Sequence, residues 1–213
     1  MVPPGRTLKG ILLALAVPCC LLAGAGGAIA DDRAVAFEQE RRWFAGFAGA
    51  TSQTRFTADG TAGSSTTALA DGLLLRFGRF GRPTRYGMDT SRVRYEQAEM
   101  WTTTAYLDYV FAGGGLFSGY LGVTVGYGTL RWRGRHPFDG EADFRRTDSR
   151  QRGPVAGLRA GGLIEVTDLV QVEIGYRYLW TDFEERFDND SGGGSVTASN
   201  QRAIHAGVNF RFR

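Results

Sequence analysis

Val170-Gln-Val-Glu-Ile-Gly-Tyr-Arg-Tyr-Leu-Trp180 puts Val170, Val172, Ile174, Tyr176, Tyr178 and Trp180 at every second position, with Gln171, Glu173, Gly175 and Arg177 between them. Side chains alternate across a β-strand, so this spacing builds one greasy face and one polar face. Any half-buried strand fits that pattern. Here, however, the aromatics gather at one end of the greasy face, as they do where a strand of a closed barrel crosses a bilayer and reaches its interface.

The amino-terminal residues carry a different signal. Arg6 and Lys9 precede or flank the apolar run Gly10-Ile-Leu-Leu-Ala-Leu-Ala-Val17, and small residues lead to Ala28-Ile-Ala30. This order predicts a secretory signal peptide over residues 1–30, used for Sec secretion and cut before Asp31. A transmembrane anchor is the alternative, but the core ahead of Pro18 is shorter than the roughly 20 residues a spanning helix needs. Cys19 and Cys20 are the only cysteines, and they leave with the signal, so no disulfide is expected. A lipidated Cys19 would require a small residue where Pro18 stands. Arg6 and Lys9 leave as well, and the formal charge of +3 falls to +1, which gives no footing for a nucleic-acid partner.

After residue 30 there is no apolar run long enough for a helical span and hardly any helical period. Period-two runs separated by turn residues predict eight strands instead. They cover Trp43–Ala50, Leu69–Phe80, a stretch within Arg85–Glu96, Trp101–Phe111, Ser118–Trp132, Pro154–Val166, Val170–Phe183 and Asn200–Phe212. In the third of these the polar residues do not choose between two faces. In the fifth, Gly122, Gly126 and Gly128 fall on the inward face, where they leave room for larger side chains from neighbouring strands.

Connections at 52–68, 133–153 and 184–199 read as long and polar, whereas those near Gly81, Gly113 and Asp168 are short. Outer-membrane barrels have short periplasmic turns and longer outer loops. The fold class expected is therefore all-β: an eight-stranded antiparallel up-and-down transmembrane β-barrel over residues 43–213, with 31–42 a short periplasmic segment. Trp101, Trp132 and Trp180 then mark an outer aromatic girdle, and Trp43 with Phe111, Phe117 and Phe212 an inner one; Phe210 is a further membrane-interface residue. A soluble barrel or sandwich is the competing reading.

Trp43-Phe-Ala-Gly-Phe-Ala-Gly49, Gly119-Tyr-Leu-Gly-Val-Thr-Val-Gly-Tyr127, Glu173-Ile-Gly-Tyr-Arg-Tyr178 and His205-Ala-Gly-Val-Asn-Phe-Arg-Phe212 make the chain resemble the small porin-family barrels of the outer-membrane protein A and X superfamily. The resemblance implies a non-enzymatic monomer in the outer membrane of a Gram-negative bacterium. It implies a role in membrane structure or as a surface protein, contacting outer-membrane lipids and lipopolysaccharide or serving adhesion. It also implies that the barrel-assembly machinery recognises the last strand through its terminal aromatic, although here Arg213 follows Phe212.

By alternation, Arg76, Asp108, Arg159, Glu165, Glu173, Arg177, His205 and Arg211 point into the barrel as a lumen charge network. Side chains nearly fill an eight-stranded barrel, so these charges are read as a static ion-pair plug, with a gated path or a narrow pore for small solutes as the alternative. The arginine-rich stretch Arg133–Arg152 suits phosphate, but Asp139, Glu141, Asp143 and Asp148 allow it to pair with itself. Gly192-Gly-Gly194 predicts a mobile loop tip. A lipid A deacylase or acyltransferase would need a nucleophile beside an oriented base, for which His136, Ser149 and Asp139 are the candidates; neither histidine sits in the His-x-Ser arrangement of the deacylases. The expectation is no catalytic site, no cofactor and no metal, since no cluster of Cys or His ligands is present.

Overall fold

The computed structural model describes residues 43–59, 65–81, 83–96, 98–112, 116–132, 150–187 and 194–212. The expected signal peptide, the segment 31–42, the Gly113-Gly-Gly115 turn, most of the arginine-rich stretch with His136 and Ser149, most of the glycine tip and Arg213 lie outside the described residues. Eight strands follow one another: β1 (Trp43–Asp59), β2 (Ser65–Gly81), β3 (Thr84–Arg94), β4 (Ala98–Ala112), β5 (Phe117–Trp132), β6 (Arg150–Glu165), β7 (Val170–Phe187) and β8 (Gly194–Phe212). Each pairs antiparallel with the next, and β1 pairs with β8, so the sheet closes on itself. Closure leaves no edge strand with unpaired backbone groups.

Five strands, β1, β2, β6, β7 and β8, run well past the expected limits. The connection expected at 52–68 shrinks to 60–64, because β1 continues to Asp59 and β2 begins at Ser65. That expected at 184–199 shrinks to 188–193. The cause is visible in β8: Ser199 is an extra residue against β1, and against β7 it stands opposite two residues, Thr181 and Asp182, so the register shifts on both sides. Val196 and Ala198 face inward before it, and Gln201, Ala203 and His205 after it, so the alternation changes phase and the first part reads as loop.

Outward positions form a broad apolar belt. Phe47, Leu75, Phe77, Met88, Leu107, Phe111, Leu121, Val125, Ile174 and Phe210 are all exposed large hydrophobics. Among the inward glycines, Gly122 and Gly175 have no space for a Cβ, because Asp108 occupies it at the first and the Tyr120 hydroxyl at the second. The missing side chains are what let these large polar groups reach the centre.

Candidate functional site

The interior divides into two layers. In the half holding the strand ends at Trp43 and Phe212, three guanidinium groups and three carboxylates meet on the barrel axis. Arg85 of β3 donates from Nη1 to Glu173 Oε2 of β7 (2.7 Å) and from Nε to Asp108 Oδ2 of β4 (2.9 Å). Arg159 of β6 donates from Nη1 to Asp89 Oδ2 (2.9 Å) and sits with Nε 3.1 Å from Asp108 Oδ1. Arg76 of β2 donates from Nε to Asp89 Oδ1 (2.8 Å) and also pairs with Glu173.

Glu173 is the hub of this layer. The Tyr120 hydroxyl donates to its Oε1 (2.7 Å), Asn209 Nδ2 donates to its Oε2 (3.0 Å), and His205 Nε2 lies 3.3 Å from Oε1. Two tyrosine rings floor the cluster: Arg159 lies 4.1 Å from the Tyr106 centroid and Arg85 4.5 Å from that of Tyr120. Every member is buried, so each charge has lost its water and depends on these partners. The gap beside Ala48, Leu74, Arg76, Glu173 and Asn209 has no room for a water molecule.

The other half of the interior is apolar. Phe56, Val93, Tyr95, Met100, Leu130, Trp132, Val155, Phe183 and Val196 form one buried cluster. The tight β3–β4 turn, in which Tyr95 N–H donates to the Ala98 carbonyl (2.8 Å), brings Tyr95 back over the mouth of the barrel. There its ring meets Phe56 edge-on and its hydroxyl bonds Thr54 Oγ1 (2.5 Å) and Ser52 Oγ (3.2 Å). Arg177 lies between the layers and reaches from β7 to Ser91 Oγ of β3 (3.0 Å).

The eight residues expected in the lumen all sit on inward positions, but not in one group. Arg76, Asp108, Arg159, Glu173 and His205 join the central cluster, and Arg177 caps it. Arg211 and Glu165 instead pair with each other near the Phe212 end, and Glu165 is partly open to solvent. Arg85 and Asp89 are central members that the sequence reading missed. Their strand has polar residues on both faces, yet the antiparallel register from the short β3–β4 turn places Arg85 directly opposite Asp108, and that pairing was the available signal.

Among the aromatics, Trp43, Trp101, Phe210 and Phe212 are exposed on the outside. Trp180 faces outward half-buried, seven residues short of the end of β7. Trp132 corrects the expectation: it is 5% exposed and belongs to the inner apolar cluster, packed against Phe56 at 5.4 Å. At that height the greasy side of β5 is its inward side, and the outward neighbour is Arg131.

No family model matches the chain, and no curated protein matches it in sequence. Solved structures do match. Neisserial surface protein A superposes with a TM-score of 0.54 at 19% identity, covering 78% of this chain and 97% of that one. This chain has the fold of the small eight-stranded outer-membrane barrels. The outer membrane protein OprG from Pseudomonas aeruginosa gives a TM-score of 0.52 at 12% identity over 82% of this chain and 98% of its own. AlkL, whose structure was determined by solid-state NMR in DMPC lipid bilayers, gives 0.51 at 13% identity over 82% and 91%.

Proposed function

We propose that this protein is a non-enzymatic, non-conducting outer-membrane barrel of a Gram-negative bacterium, serving membrane structure or contact at the cell surface. The observation that carries the reading is the pairing of an apolar belt outside with two sealed layers inside. A soluble protein does not expose so many large hydrophobic side chains around its whole girth. In a bilayer that belt faces acyl chains, and Trp43 and Trp101 sit where aromatic rings favour the interface. The closed interior argues against a path for solutes: an ion would have to break the Glu173 cluster and then pass the Tyr95 and Phe56 layer. Residues 1–30 direct secretion, the last strand engages the assembly machinery, and the barrel works as a monomer in contact with outer-membrane lipids, lipopolysaccharide included.

Two measurements test this. The protein fractionates with the outer membrane and runs faster on a gel unheated than boiled; recovery in the periplasmic soluble fraction overturns the membrane reading. Purified protein in planar bilayers gives no stable large conductance steps, and such steps would overturn the sealed lumen.

A further inference from the structure

Just beyond the aromatic girdle, register places five arginines on one side of the outer wall. One row across the sheet runs Arg92, Trp101, Thr129, Arg152 and the next runs Arg94, Glu99, Arg131, Arg150, each residue pairing with its neighbour in the row. All of these are on outward positions, and Arg94, Arg131, Arg150 and Arg152 are exposed. Adjacent strands are about 5 Å apart and alternate residues about 7 Å, so the patch measures roughly 14 by 7 Å. Against five positive charges stand Glu99, Asp71 at the end of the second row, and the exposed Glu96 of the β3–β4 turn and Glu184 of β7, the strand next to β6.

Part of the patch is built rather than loose. Arg92 ion-pairs with Glu99 and lies 4.9 Å from the Trp101 centroid, while Trp101 Nε1 donates to Glu99 Oε1 (3.2 Å). Glu99 is only 4% exposed although it faces outward, because these side chains cover it. The carboxylate and the ring thus fix Arg92 at the height where the apolar belt ends. Arg131, Arg150 and Arg152 extend the positive surface from there. Guanidinium groups bind phosphate through two parallel N–H bonds, and a basic cluster beside the hydrocarbon boundary meets lipid headgroups rather than soluble anions.

We infer that this face of β3 to β6 is a docking surface for the phosphate groups of the outer-leaflet glycolipid, the sugar-borne phosphates of lipopolysaccharide. The inference rests on the membrane reading above and adds a place and a chemistry to it. Among the described residues, the opposite wall carries Arg55 and Arg202 as its arginines at outward positions above the belt of β1 and β8, which makes it an internal control.

The test uses full-length protein in lipid nanodiscs, titrated with lipid A bearing both phosphates, with the same lipid A after dephosphorylation, and with phosphatidylglycerol. Binding of phosphorylated lipid A falls about tenfold or more in Arg131→Gln/Arg150→Gln/Arg152→Gln, as expected when three juxtamembrane cations are lost. In Arg55→Gln/Arg202→Gln it stays within about twofold, as expected where no cluster forms. Dephosphorylated lipid A binds wild type no better than the triple variant. Equal lipid A binding by the triple variant overturns the inference, as does equal preference for phosphatidylglycerol. Heat-modifiable mobility of the same samples separates the two levels of failure: an unfolded or uninserted wild type sinks the membrane reading, whereas an inserted barrel indifferent to phosphate sinks only the docking surface.

Discussion

The two halves of this barrel are built with opposite polarity. From Trp43 to Ala50, β1 turns Trp43 and Phe47 outward; eight residues on, it turns Thr51, Gln53 and Arg55 outward and Phe56 inward. In β3 the inward residues change from Arg85 and Asp89 to Val93, while the outward ones change from Tyr86 and Met88 to Arg92 and Arg94. In β5 Leu121, Val125 and Tyr127 face out as far as Gly128, and Leu130 and Trp132 face in at the end. Leu69 is an exposed exception. The inversion teaches which surroundings each half suits. Below the switch the wall is apolar outside and charged inside, which suits a bilayer; above it the wall is polar outside and greasy inside, like a soluble protein.

Single substitutions in the two interiors should therefore fail for different reasons, and urea unfolding in lipid vesicles measures the difference. Glu173→Ala should be the most damaging, costing about 4 kcal/mol, because Arg76 and Arg85 keep their burial and lose a shared carboxylate. A loss under about 1 kcal/mol would mean that water replaces the hub and that the charged layer is not sealed. Phe183→Ala in the apolar layer should cost about 3 kcal/mol through the cavity it leaves. Gly175→Ala should cost about 2 kcal/mol, because a Cβ there meets the Tyr120 hydroxyl and lies 2.6 Å from His205 Cε1. Gly49→Ala, which faces outward with nothing within 4 Å, should change stability by less than about 0.5 kcal/mol. If the last two variants prove equal, packing inside the barrel is looser than the contacts around Tyr120 imply.

The same inversion explains what could be read in advance. Strand number follows from period two and the turn residues, and inward parity from period two wherever one side is greasy; Glu173, Arg177, Asp108 and Arg159 were legible on that basis. Alternation survives as long as one side stays greasy. Where the greasy side changes, as at Trp132 and beyond Ala50, the pattern looks like a polar loop or assigns an aromatic to the wrong surface. Arg85 and Asp89 escaped for a related reason: Thr90 and Arg92 make the outward face of β3 polar too, so only the pairing with Asp108 across β4 reveals their direction. The meeting of six charges at one point depends on register across five strands, which local periodicity does not encode.

Four of the central contacts join walls on opposite sides of the barrel. Arg85 and Glu173 belong to β3 and β7, four strands apart around the ring, as do Ser91 and Arg177; Arg76 reaches from β2 to the same carboxylate on β7, and Arg159 from β6 to Asp89 on β3. They act as spokes. A tube held open only by its skin flattens readily under sideways load, whereas one tied across its diameter must lengthen or break a spoke to become oval. The buried charges thus resist flattening of the cylinder, a mechanical property that a core of sliding aliphatic chains would supply less well.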